Sequence, residues 1–149
     1  MLLDGLTAEE RAKIERIGHG RIFRAGECVV IEGESAHAVY LVLRGRLDVQ
    51  KPLGEGRVKT LAQLKPLDCF GEMAFLDQEP RSANVMAVTD GELLVIPMAA
   101  FADLMEHDPA IGMKIYRELA RILAGRLRTL DEDMRSTLRW AIEGWTFGG

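Results

Sequence analysis

Residues 70–83, FGEMAFLDQEPRSA, gather a glycine, a carboxylate and an arginine into one short stretch. Gly71 lets main chain approach a ligand with no side chain in the way, and EMAFLD is long enough for one or two helical turns whose free N–H groups favour negative charge. Arg81 adds a planar cation with forked donors suited to a phosphate, and Ser82 and Ala83 keep the neighbouring main chain accessible. Glu72 cannot help an anion directly, so its carboxylate is better explained as the acceptor for a hydroxyl beside that anion, as a sugar would supply. Singly, each residue has a plainer explanation. Arg81 would be a surface arginine paired with Glu72 or Asp77, Glu72 an acid favoured at a helix start, and Gly71 an ordinary turn residue. It is their occurrence in one register that points to an anion site.

The elements around this stretch can be read from pattern. Thr7 followed three residues later by Glu10 is a capping box, and Ile14 and Ile17 supply an apolar stripe, so a helix over about 7–17 is predicted. From 21 to 97 the chain becomes a series of short apolar, β-branched segments punctuated by Gly26, Gly33, Gly45, Gly54 and Gly56. In places they alternate, Leu47 and Val49 against Arg46, Asp48 and Gln50. Eight or so strands in an antiparallel roll are predicted, with Asp90-Gly91 as a hairpin turn. Pro97 ends the last strand, and MAAFADLMEH reads as a short helix with Phe101, Leu104 and Met105 inward. Asp108-Pro109 is a fitting N-cap and first position for a second, longer helix. Its apolar stripe, Ile111, Ile115, Leu119, Ile122, Leu123, Leu127, Leu130, Met134 and Leu138, exceeds what a small roll can cover. The expected layout is one domain over 1–149: helix 7–17, roll 21–97, helices 98–140 and a tail 141–149. Its fold class is mainly β with flanking helices, an antiparallel double-stranded β-helix or jelly-roll-like roll.

Composition narrows the functions. With 48% hydrophobic and 28% charged residues the chain is that of an ordered protein, and its net charge of −4 argues against generic binding to nucleic acid or to an anionic membrane. No apolar run approaches the roughly 20 residues needed to cross a bilayer. Two cysteines, Cys28 and Cys69, are too few for a disulfide framework or a four-cysteine metal site, which suits a reducing cytoplasm. Neither has an adjacent histidine–acid arrangement that would make it a nucleophile. His19, His37 and His107 are scattered, without the His-x-His pair of a metal-dependent cupin. Arg117, Arg121, Arg126 and Arg128 are interleaved with Glu118 and read as a solvated helix face.

The Phe70-Gly71-Glu72 opening, short helix and Arg81-Ser82-Ala83 close resemble the phosphate-binding cassette of the cyclic nucleotide-binding domain family, to which bacterial catabolite activator-like proteins, cyclic nucleotide-dependent kinases and gated channels belong. The resemblance covers residues 7–138, including AGECVVIEGESAHAVYLVLRGRLDV and DGELLVIPMAAFADLMEHDP. It departs from the family at Leu67-Asp68-Cys69, where a glycine is often found, which changes a turn more than it threatens the site.

The resemblance implies that Arg81 pairs with the exocyclic oxygens of a cyclic phosphate and that Glu72 accepts from the ribose 2′-hydroxyl. Gly71, Ser82 and the main chain at Ala83 and Met73 would complete the cradle. It implies no catalytic residue, metal or cofactor, only a ligand: a 3′,5′-cyclic nucleotide, cyclic AMP favoured over cyclic GMP because bacterial Arg-Ser-Ala cassettes usually bind it. Trp140 or Trp145 would cap the purine, or instead bury against the roll or a partner chain. After Trp140 only AIEGWTFGG remains, so the expectation is a sensor without its own DNA-binding domain. Its output would be allosteric, with Leu76 or Phe75 repacking against the later helices, and it would act as a homodimer through the long helix, with an effector protein as a further partner. The competing expectation is an interaction module with the same fold and an empty pocket; a cupin enzyme is a third.

Overall fold

Cap, strand and turn signals take physical form in a computed structural model, which describes the main chain of residues 2–148 and their side chains except at 73, 126, 130, 133 and 135–148. Thr7 Oγ1 accepts from the Glu10 N–H at 3.1 Å while the Glu10 carboxylate accepts from the Thr7 N–H at 2.9 Å. This reciprocal cap starts α1, Ala8–Ile17, which buries Ile14. Then come β1 (His19–Phe23), β2 (Cys28–Val30), β3 (Ala38–Arg44), β4 (Leu47–Gly54), β5 (Arg57–Leu64) and β6 (Cys69–Phe70). A short α2 (Glu72–Asp77) separates β6 from β7 (Asn84–Ala87), and β8 (Gly91–Pro97) leads into α3 (Met98–His107) and α4 (Pro109–Gly148).

The strands form two four-stranded antiparallel sheets, ordered β1-β8-β3-β6 and β2-β7-β4-β5. Side chains of alternate residues point to opposite faces of a strand, and β3 uses both faces. Val39 and Leu41 join Leu94, Ile96, Phe101, Ile111, Ile115 and Leu119 under the helices, while Val42 joins Phe23, Leu47 and Leu93 between the sheets. A strand covered on both sides has no polar face to show, which is why ELLVIP in β8 reads as one apolar run.

Asp90-Gly91 is not a hairpin. β7 lies in the second sheet and β8 in the first, so the chain turns a corner between sheets there. Gly91 is required for space: a methyl group on it would overlap the Arg44 carbonyl oxygen and the Phe23 ring. Asp90 Oδ1 accepts from the Ala25 N–H at 2.8 Å, bracing the corner from outside.

Asp108 caps α4, its Oδ1 accepting from the Ile111 N–H at 3.4 Å, with Pro109 at the first helical position. The tail expected over 141–149 is instead helical through Gly148. Toward its start the stripe is buried at Ile111, Ile115 and Leu119; further on, Leu127 and Met134 are exposed. Leu130 and Leu138 lie outside the described side chains.

Candidate ligand-binding site

The 70–83 segment bridges the two sheets. It leaves the first at β6, where Phe70 is paired with Tyr40 of β3, and enters the second at β7. At its entry Gly71 has φ +83°, a left-handed conformation, and a Cβ there would lie 2.6 Å from Arg81 Nη1 and 3.1 Å from the Ala38 carbonyl oxygen. Both reasons demand glycine. Glu72 opens α2 and is only 5% exposed, so its carboxylate has been brought inward rather than left on a solvated helix start.

Arg81 is 8% exposed. Its Nη2 donates to the Ala38 carbonyl at 2.7 Å and Nη1 more weakly to the Gly71 carbonyl at 3.4 Å. The guanidinium carbon lies 5.4 Å from the centre of the Tyr40 ring, which is stacked on Phe70 at 4.7 Å. Attraction between a cation and a ring face and hydrogen bonds donated to carbonyls offset the cost of burying the charge. They leave it able to exchange those bonds for an anion. Its main chain is tied elsewhere: the Arg81 N–H donates to the Glu34 carbonyl, and the Gly33 N–H to the Arg81 carbonyl, both at 2.9 Å.

Beside the guanidinium is a cavity of about 90 Å³ whose lining includes Val30, Glu34, Ser35, His37, Tyr40 and Arg81. Drug-sized ligands occupy roughly 300–1,000 Å³, so this volume suits a phosphate-sized group with the rest of a larger ligand across the mouth. Of the residues expected from sequence, Arg81 lines the cavity and Gly71 abuts its guanidinium. Glu72, Ser82 and Ala83 flank it along the chain: Ser82 is exposed and Ala83 buried. Met73 contributes α2 main chain, and its side chain, like those of Trp140 and Trp145, lies outside the described residues. Sequence reading missed Glu34, Ser35, His37 and Tyr40; the one signal for them was the Gly33 turn before β3.

Phe75 and Leu76, left as alternatives by the sequence, are separated by the structure. The Phe75 ring lies 5.0 Å from that of Phe101 and 6.5 Å from that of Tyr116, joining α2 to α3 and α4, while Leu76 is exposed. At the departure from the family pattern, Leu67 takes φ +78°, the conformation a glycine would adopt freely. Burial pushes the Cys69 thiol up to about 12, helped by the Glu72 and Asp68 charges, and burial raises Cys28 as well, so both thiols stay protonated. Among the described residues no cluster of His, Cys, Asp and Glu suited to a metal ion occurs.

The family model described as "Cyclic nucleotide-binding domain" matches residues 20–108. The chain belongs to the cyclic nucleotide-binding domain family. That membership sets aside the cupin reading. The domain is 33% identical over 133 residues to the "Cyclic AMP receptor protein" of Thermus thermophilus, across 89% of this chain and 60% of the relative. The crystal structure of the Thermus thermophilus catabolite activator protein matches with a TM-score of 0.79 at 33% identity, over 89% of this chain and 61% of that one. The regulatory domain of Toxoplasma gondii PKA, co-crystallised with cAMP, matches with a TM-score of 0.62 at 26% identity, over 68% of this chain and 39% of that one. The chain thus spans about 60% of the length of the Thermus relative.

Proposed function

We propose that the domain binds a 3′,5′-cyclic nucleotide, cyclic AMP in preference to cyclic GMP, at the 70–83 segment and acts as an allosteric regulatory module without catalytic activity of its own. The observation that carries this is Arg81: a buried guanidinium beside a phosphate-sized cavity, bonded to main-chain carbonyls that an anion can replace. In this reading Arg81 takes the exocyclic phosphate oxygens and Glu72 the ribose 2′-hydroxyl. Gly71, Ser82 and the main chain at Met73 and Ala83 form the cradle. The preference for cyclic AMP is supported by the relatives named for that ligand.

Ligand binding would draw α2 toward the cavity and shift Phe75 against Phe101 and Tyr116, and the ligand biases these states only by its differential affinity for them. The output surface is the exposed side of α4. Met113, Ala120, Leu127 and Met134 recur at seven-residue steps and Tyr116 stands three after the first, all exposed, opposite the buried Ile111, Ile115 and Leu119. A heptad seam of this kind is what a parallel two-stranded coiled coil requires, so the proposed assembly is a homodimer that passes its change of state to an effector protein. Among the described residues no helix is long and apolar enough to cross a membrane, and two unpaired, half-buried cysteines fit a reducing cytoplasm.

Thermal melting tests the ligand. At 100 times the dissociation constant, linkage adds about 2.7 kcal/mol, worth several degrees in a domain of this size. The midpoint is expected to rise with cyclic AMP, less with cyclic GMP and little with AMP, and not at all in Arg81→Glu. A wild type unmoved by either cyclic nucleotide sinks the reading. Light scattering that finds only monomer with and without nucleotide removes the dimer.

A further inference from the structure

Lys51 lies far from the 70–83 segment in sequence, yet it holds that segment's far end. On β4 it stands one residue beyond Gln50, which is paired with Asn84 of β7. From there its Nζ donates to the Ser82 carbonyl at 3.0 Å and to the Glu32 carboxylate. Glu32 is fixed in turn, its N–H donating to Asn84 Oδ1 at 2.7 Å. The next residues of the same turn, Gly33 and Glu34, hold both main-chain groups of Arg81. The cassette's exit is therefore clasped residue by residue from outside it.

The bond to Ser82 has a geometric consequence. A trans peptide is planar, with its C=O and N–H directed to opposite sides. Drawing the Ser82 carbonyl toward the Lys51 ammonium turns the Ala83 N–H, in the same peptide, away from that ammonium. A positive charge on that carbonyl also polarises the peptide and makes the N–H a stronger donor. Under the cyclic nucleotide reading, on which this step rests, that N–H is part of the phosphate cradle. We propose that Lys51, braced by Glu32, is a positioning residue for the ligand: it sets the direction and strength of the Ala83 N–H without touching the nucleotide.

Calorimetric titration of cyclic AMP and cyclic GMP into wild type, Lys51→Met, Lys51→Arg and Glu32→Gln proteins tests this, with the ligand-free Ala83 amide followed by NMR. Because the effect passes through the phosphate, Lys51→Met should weaken both nucleotides by the same factor, about tenfold for a lost charge-assisted hydrogen bond. Lys51→Arg, which keeps a cationic donor, should stay within about threefold of wild type. The Ala83 amide proton should move upfield in Lys51→Met and much less in Lys51→Arg. Should Lys51→Met not fold, Glu32→Gln carries the test, with a loss of about threefold, equal for both nucleotides, as the amine loses its brace. Unchanged affinity in whichever of these two variants folds, or a loss confined to one base, overturns the positioning role and leaves the cyclic nucleotide reading standing. A wild type that binds neither nucleotide overturns both.

Discussion

In the first sheet, β1-β8-β3-β6, both faces are covered: Val39, Leu41, Leu94 and Ile96 lie under the helices while Val42 and Leu93 face the second sheet. In the second, β2-β7-β4-β5, one face alone meets the core, and β5 is exposed along its length until Leu64. Arg81 belongs to both. Its side chain is bonded to Ala38 in the first sheet, and its main chain to the turn that follows β2 of the second. The difference gives the proposed ligand its point of action: a close-packed frame supplies a fixed carbonyl, a more open partner carries the arginine's main chain, and an anion that took the guanidinium would break a tie between them.

The largest expected contrast comes from loading each sheet with one substitution. Gly91→Ala forces a methyl group into the Arg44 carbonyl and the Phe23 ring, and overpacking of this kind should cost about 3 kcal/mol, a fall of about 10 °C in the melting midpoint. Leu61→Thr, on exposed β5, should change stability by no more than about 0.5 kcal/mol. Equal losses at the two positions would erase the distinction between the sheets.

A smaller effect of opposite sign is expected at Leu67, on the turn that leads from β5 to β6. Left-handed backbone costs a non-glycine residue about 1–2 kcal/mol, part of which glycine gives back through its freer unfolded chain. Leu67 is exposed and gives up little burial, so Leu67→Gly should stabilise the fold by about 0.5 kcal/mol, readable as a rise of 1–2 °C. A fall in the midpoint would mean that the leucine is held there by a contact rather than tolerated.

What the sequence disclosed, and what it hid, follows the same division. The roll, the α1 cap and the family could be read because each rests on local chemistry: glycines at positive φ such as Gly33 and Gly45, Thr7 with Glu10, and the ordered run from Phe70 to Ala83. Asp90-Gly91 misled because a chain reversal looks the same locally whether its strands pair or part, and only the tertiary arrangement gives Gly91 its role of making room. Glu34, Ser35 and His37 stayed hidden because the β2–β7 pairing brings their turn to the cassette across some 50 residues of chain. The choice between Phe75 and Leu76 was closed for a similar reason. Neighbours on a six-residue helix differ in direction, and direction is set by how α2 lies on α3 and α4.

The smallest effect concerns the helices that cover the first sheet. Lys13 donates to Asp108 at 2.8 Å and Lys114 to Glu10 at 2.6 Å, tying α1 to the start of α4. The Lys13 hydrogen bond holds the Asp108 carboxyl below its ordinary value, and the Lys114 hydrogen bond does the same for Glu10. Lowered carboxyl values add stability above the unfolded values, near 4, and that stability is lost as pH falls through the folded ones. Lys13, raised by its hydrogen bond to Asp108, contributes below its unfolded value and loses that contribution as pH rises through the folded one. The melting midpoint should therefore be flat between about pH 5 and 8 in respect of these pairs and decline below about pH 4, with a shallower decline in Lys13→Met. Identical acid limbs for the two proteins would show that the pair contributes nothing.

The crystal structure of the complex with cyclic AMP bears most directly on the account. It should show the Arg81 guanidinium released from the Ala38 carbonyl and turned to the exocyclic phosphate oxygens, with Glu72 in reach of the ribose 2′-hydroxyl. Arg81 still on Ala38, with no nucleotide between Gly71 and Ala83, would contradict it.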